Sequence, residues 1–149
     1  MNVIEYFGLE NKEYWLSKIG ESDWDAGVFL HGLLRDQKLK ELVGEKSRVL
    51  MLVDGDQLIS FCTLAEKDDI QPTSLTPWIG WLYTFPKYRG RRFAGKLLCH
   101  AESLARADGA DKVYISTNHE GLYEKYGYEF FGVMKDIGGE DSRVYAKEI

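Results

Sequence analysis

The stretch from Trp78 to Thr117 limits the folds open to this chain more than any other. It reads as an aromatic-rich strand from Trp78 to Phe85, a break at Pro86, a basic glycine-containing turn, and a helix from Phe93 to Ala107 that Gly109 ends. A short buried strand, Val113 to Thr117, follows. In the helix, Ala94, Leu97, Leu98, Ala101, Leu104 and Ala105 recur near the 3.6-residue period and are expected to face inward. A strand–helix–strand crossover at the centre of the chain makes an all-α or all-β arrangement untenable and points to a mixed α/β (α+β) fold.

The flanks extend that pattern. Asn11 to Ile19 predicts a short helix with Tyr14, Trp15 and Ile19 apolar, and Glu21 to Asp25 breaks it. Ala26 to Val43 predicts one longer helix, with Ala26, Phe29, Leu30, Leu33, Leu34 and Leu42 on one face and Gly44 as its stop. Val49 to Val53 and Leu58 to Leu64 read as strands around Asp54-Gly55-Asp56, a hairpin signal. Glu66 to Thr76 is polar, contains Pro72, and reads as a loop. Glu120 to Tyr126 predicts about two helical turns closed by Gly127. Tyr128 to Met134 and Arg143 to Lys147 predict strands joined at Gly138-Gly139, and a first strand around Val3 to Tyr6 is open. With 149 residues and no repeat or linker, residues 1–149 are expected to form one domain.

Composition excludes several classes. No apolar run approaches the ~20 residues of a membrane span. The opening Met-Asn-Val-Ile-Glu-Tyr lacks the basic and then apolar regions of a secretory signal, so a cytoplasmic protein is expected. The two cysteines, Cys62 and Cys99, lie in apolar-patterned segments and are expected to be buried, reduced thiols. Two cysteines and three scattered histidines have no metal-ligand spacing, and no metal is expected.

The chemistry concentrates in the basic turn. Lys87, Arg89, Arg91, Arg92 and Lys96 bring five positive charges within ten residues, in a chain of net charge -5 with no Asp or Glu between Asp69 and Glu102. A helix start presents unpaired N–H groups and the positive end of the helix dipole. Gly90, Ala94 and Gly95 are small enough to let a phosphate approach the backbone, and the arginines add bidentate donors. A diphosphate suits such a turn; so does the plainer reading of a solvated basic loop.

Strand, Pro-x-Tyr-Arg-Gly, basic turn and an Ala-Gly-x-Leu-Leu helix together resemble the signature of the GNAT superfamily of acyl-CoA N-acyltransferases. Its Arg/Gln-x-x-Gly-x-Gly/Ala pattern maps onto Arg89, Gly90-Arg91, Arg92, Phe93 and Ala94, with Arg92 where the pattern has glycine. A second motif follows about 30 residues on: Ser116-Thr117-Asn118, then Gly121-Leu122-Tyr123-Glu124-Lys125-Tyr126-Gly127-Tyr128, similar to the family's strand end and Leu-Tyr-x-Lys-x-Gly-Phe helix. The resemblance is firmest over residues 78–132. It implies a mainly antiparallel mixed sheet, flanked by helices, with a central parallel pair, Trp78–Phe85 and Val113–Thr117, splayed to admit the pantetheine arm of acetyl-CoA.

The resemblance also implies roles. Backbone groups of Leu82, Tyr83 and Thr84 would hold the coenzyme arm, the Leu82 N–H facing the thioester carbonyl. Arg89, Gly90, Arg91, Arg92, Phe93, Ala94, Gly95 and Lys96 would hold the diphosphate. The Arg92 N–H is available if that residue adopts right-handed helical geometry, and Asn118 would bond the coenzyme arm. Tyr123 would be the general acid, because a phenol near pKa ~10 and a thiolate near ~8.5 exchange a proton at little cost. The base is open among Glu66, Asp68, Asp69 and a water relay, with Glu66 named for the role. Asp23-Trp24-Asp25, and with them Trp78 and Trp81, are candidates for the acceptor pocket; Trp24 with its carboxylates could hold an ammonium by cation–π contact. The acceptor is then a small-molecule or peptide amine, and a homodimer is compatible with the family. Two other readings stand beside this enzyme: a domain that binds acyl-CoA as a sensor without catalysis, and a nucleic-acid-binding module using residues 87–92, which the acidic pI of about 5.2 disfavours.

Overall fold

The structure is a computed structural model that describes residues 1–149. One seven-stranded sheet runs in the order β1-β2-β3-β4-β5-β7-β6. The strands are β1 (Asn2–Glu5), β2 (Arg48–Asp54), β3 (Gln57–Ala65), β4 (Trp78–Thr84), β5 (Lys112–Ser116), β6 (Glu129–Lys135) and β7 (Asp141–Glu148). All neighbours pair antiparallel except β4 and β5, which are parallel. That pair is the one joined by the crossover through α4 (Phe93–Ala107), since a parallel neighbour needs a long connection and an antiparallel one only a turn.

Both faces of the sheet are covered, so β2 and β3 are buried almost throughout rather than at alternate residues. On one face α4 packs Leu97, Leu98, Ala101 and Ala105 against Leu50, Leu52, Cys62, Leu64 and Ile79. On the other, α1 (Lys12–Ile19) and α2 (Asp25–Arg35) bring Trp15, Ile19, Leu30 and Leu34 onto Val49, Met51, Phe61 and Tyr83. Each fully buried Leu or Ile of this kind contributes ~1.5–3 kcal/mol relative to exposure. The hairpin at Asp54-Gly55-Asp56 forms as expected, with Asp54 opposite Gln57.

Three expectations need correction. The single helix over Ala26 to Val43 is two: α2 ends at Arg35 and α3 spans Leu39–Val43. Gln37 takes a positive φ of 56°, the Lys38 N–H bonds the Leu33 carbonyl at 2.8 Å, and the Gln37 N–H bonds that of Leu34 at 3.2 Å. This is the double bond of a Schellman stop, formed by a residue that carries no sequence signal for it. The two helical turns over Glu120 to Tyr126 shrink to one 3₁₀ turn, Tyr123–Tyr126, because Gly121 sits at φ 85° and starts no helix. Cys62 is buried, but Cys99 is exposed on the outer face of α4. The open first strand, Asn2–Glu5, is present.

Candidate active site

The parallel pair is joined at one registered position only, Trp78 opposite Tyr114. Beyond it the strands part because β4 carries a bulge. Phe61 faces Tyr83 and Thr63 faces Gly80, so β3 advances two residues while β4 advances three. Trp81 takes φ 50° there, a costly geometry for a bulky residue, and its indole N–H is anchored on the Ala26 carbonyl at 2.8 Å. Trp81 and Leu82 have no registered partner on β3 or β5. The backbone of Leu82 therefore borders the gap, which opens into a cleft of about 1060 Å³.

The basic turn closes one end. Arg89, Gly90, Arg92, Phe93 and Ala94 line the cleft together with Leu82, Tyr83 and Thr84. Arg91, Gly95, Lys96 and Asn118 are not among the lining residues. Gly95 is small for another reason than the one expected: a Cβ there would lie 2.7 Å from the Tyr126 ring. The Asn118 side-chain oxygen accepts from the Arg143 N–H at 3.3 Å. Lys96 lies over the Phe93 ring, 5.8 Å from its centroid. Arg89 donates through Nε to the Thr84 carbonyl at 2.8 Å and lies 5.3 Å over the Tyr83 ring, so part of its donor set holds the turn to the end of β4. Arg92 does not take the right-handed geometry on which the availability of its N–H was conditional; it is left-handed, at φ 59° and ψ 27°, as the residue preceding α4. That conformation accounts for the glycine of the motif, since glycine adopts it freely and arginine does not. The Arg92 guanidinium is 5.3 Å over the Tyr126 ring.

Tyr123 lines the cleft as well. It is buried in the α4-side core and packs edge-on to Tyr128 at 6.1 Å. Burial, with Cys62 and the Asp68 carboxylate nearby, pushes its phenol well above the ordinary range. The close match between a free phenol and a thiolate therefore does not carry over unmodified. Burial also pushes the thiol of Cys62, in the core beside it, up from its ordinary value.

The carboxylates divide. Glu66 is turned away from the cleft: its Oε1 accepts from the Lys46 N–H at 2.9 Å, and its side chain lies against Gly44. Asp68 and Asp69 both line the cleft. Asp68 is 8% exposed and lies on β4 at Gly80, where any Cβ would collide with Oδ1. Burial first and the charge of Asp69 second push Asp68 up to about 7. Burial also raises Asp69, whose Oδ1 is buried without a hydrogen-bond partner. The cleft thus joins a backbone donor, a buried phenol and a carboxyl that titrates near neutrality, the parts needed to move protons around an acyl group. No group of three or more His, Cys, Asp or Glu side chains is arranged to hold a metal ion.

Of the acceptor candidates, Asp23, Trp24 and Trp81 line the cleft, while Trp78 is wholly buried in a separate core cluster. The Tyr83 hydroxyl donates to Asp23, and Trp24 stacks on the Tyr83 ring at 5.7 Å. Phe29, read from the sequence as a core residue, lines the cleft and is half exposed; Ile137, near the expected Gly138-Gly139 turn, lines it with no sequence signal at all.

A mixed sheet opened at its one parallel pair, with a basic helix start at the opening, is the architecture of acyl-CoA-dependent acyltransferases. Residues 11–128 match the sequence profile of the Acetyltransferase (GNAT) family, and the chain belongs to that family. No curated protein matches it significantly in sequence. Solved structures share its fold at low identity. The aminoglycoside 6′-N-acetyltransferase from Enterococcus faecium superposes with a TM-score of 0.69 at 16% identity, covering 99% of this chain and 97% of that one. A GNAT family acetyltransferase from Elizabethkingia anophelis with acetyl-CoA bound gives 0.68 at 15%, covering 99% and 97%. An acetyltransferase from Streptococcus agalactiae gives 0.65 at 20%, covering 99% and 98%. No helix is long and apolar enough to cross a membrane.

Proposed function

We propose that this chain transfers the acetyl group of acetyl-CoA to a primary amine by direct attack in a ternary complex. The observation that carries the reading is the meeting of Leu82, Tyr123 and Asp68 around one opening in the sheet. The Elizabethkingia anophelis protein of the same fold binds acetyl-CoA, which supports the same cosubstrate here. The left-handed turn at Arg92 and the start of α4 would take the diphosphate, and the pantetheine arm would lie along the bulged edge of β4.

In this reading Asp68, rather than Glu66, is the base. It accepts a proton from the incoming ammonium, and the free amine attacks the thioester carbon. The carbonyl oxygen becomes an oxyanion facing the Leu82 N–H, a donor whose contribution grows as that charge develops. Collapse of the tetrahedral intermediate breaks the C–S bond. Tyr123 gives its proton to the departing sulfur and regains one from the amide nitrogen. Once protonated, Asp68 is neutral and no longer raises the Tyr123 phenol, so the acid strengthens after the base has acted.

The test follows CoA release with a thiol reagent while a panel of primary amines is offered with acetyl-CoA. CoA release that depends on amine supports the reading. Binding of acetyl-CoA with no release for any amine overturns it and leaves an acyl-CoA-binding domain without catalysis.

A further inference from the structure

Two of the chain's most exposed large apolar side chains come from distant parts of the sequence and border the same cleft. Phe29, on α2, is 53% exposed, and Ile137, in the turn after β6, is 54% exposed. Both line the cleft. Phe29 faces the Trp81 ring at 6.3 Å with a 36° tilt. Ile137 is held there by its own backbone, its N–H donating to the Asp69 carbonyl at 2.8 Å. Apolar surface therefore adjoins both carboxyls, through Trp81 next to Gly80, where Asp68 lies, and through Ile137 at Asp69. Exposed apolar side chains lining one cleft mark a site for an apolar ligand.

The charge available is small. Asp68 is buried, Asp69 beside it is partly buried, and burial raises both, so the pair carries less than two full negative charges near neutrality. The third cleft carboxylate, Asp23, already accepts from Tyr83. One ammonium is served well, and several are not. The apolar surface of Phe29, Trp81 and Ile137 also favours an aromatic guest over a polyhydroxylated one.

We infer that the amine acceptor is an arylalkylamine, its ammonium at Asp68 and Asp69 and its ring between Phe29, Trp81 and Ile137. The inference rests on the acetyltransferase reading for the position of the reacting nitrogen. Two flat rings, Phe29 and Trp81, offer an aromatic guest the offset and tilted contacts that such rings prefer.

The test is a binding measurement that needs no turnover. Protein saturated with CoA is titrated by calorimetry with ethylamine, butylamine, phenethylamine and an aminoglycoside bearing a 6′-amine. Phenethylamine is expected to bind ~30-fold tighter than ethylamine, from the burial of one phenyl ring. Phe29→Ala is expected to cut that advantage about tenfold, Phe29→Leu to restore part of it, and Ile137→Ser to reduce it as well. Phe29 and Ile137 are surface residues, and unchanged thermal melts confirm that the variants fold. Aminoglycoside binding as tight as phenethylamine, butylamine matching phenethylamine, no amine binding at all, or an advantage untouched by Phe29→Ala each overturns the inference. CoA release measured with the same amines reports separately: tight phenethylamine binding without release would sustain an arylalkylamine-binding site and sink the acetyltransferase reading, and with it the amine's role as acceptor.

Discussion

Replacing Asp68 by asparagine removes one ionisable oxygen from the floor of the cleft and keeps the side chain's shape. In the folded protein the Asp68 carboxyl is raised from 3.8 to about 7, mainly by burial. Its folded pKa lies above its unfolded one, so the folded state holds an extra proton between roughly pH 4 and 7. The associated stability is fully present below the unfolded pKa and is lost as pH rises through about 7. A difference of about 3 units at 1.36 kcal/mol each makes ionised Asp68 a burden on the order of 4 kcal/mol above neutrality. The amide cannot ionise, so Asp68→Asn is expected to raise the melting temperature at pH 8 by on the order of 10 °C, and to differ from the wild type by less than about 1 kcal/mol near pH 4. Turnover moves the other way. Loss of the base should lower kcat/KM by ~10²–10⁴, and the wild-type kcat/KM should rise with pH and level off above about 7. Melting curves from pH 4 to 9 and a pH–rate profile of both proteins measure the two effects. A variant no more stable than the wild type at pH 8 would show that burial does not govern this carboxyl. A variant that retains most of its activity would remove Asp68 from the mechanism.

Other perturbations test the remaining parts. Tyr123→Phe should lower kcat by ~10² or more while acetyl-CoA affinity by calorimetry changes little, because the hydroxyl acts only as the sulfur departs. At Arg92 the order of glycine and alanine should invert relative to an ordinary position. Arg92→Gly should be more stable than Arg92→Ala by ~1 kcal/mol in urea unfolding, since only glycine relieves the left-handed backbone; equal stabilities would remove the strain argument. Both variants should bind acetyl-CoA more weakly if the guanidinium meets a phosphate, and unchanged affinity would dismiss that contact. Gly95→Ala should destabilise the fold by ~1–3 kcal/mol, because the new methyl meets the Tyr126 ring at 2.7 Å; a neutral melt would refute it.

Much of the frame was legible as local chemistry. Proline at 86 and the small residues around the basic turn mark the start of α4, and the apolar spacing from Ala94 to Ala105 sets its buried face. Asp54-Gly55-Asp56 makes the hairpin, and Gly127 closes the turn that carries Tyr123. These signals act through nearest neighbours, by φ preference and periodicity, so one sequence is enough to read them. Positive φ at Gln37, Trp81 and Arg92 was not legible, because nothing in those side chains asks for it; the surrounding packing imposes it.

The candidate site follows the same division. The basic turn and the Tyr123 motif could be found along the chain, and with them the family. The choice among Glu66, Asp68 and Asp69 could not, because three carboxyls within four residues look alike until the fold decides which are buried. Glu66 turns out to Lys46, while Asp68 folds over Gly80 into the cleft, where burial first and the charge of Asp69 second raise its carboxyl. The presence of Phe29 and Ile137 in one cleft is likewise a product of tertiary structure, since 108 positions separate them in sequence. What the chain determines by itself is where its elements begin and end and where its positive charge collects. Which polar groups lose water, and therefore which can do chemistry, depends on burial, and burial exists only once distant segments have packed.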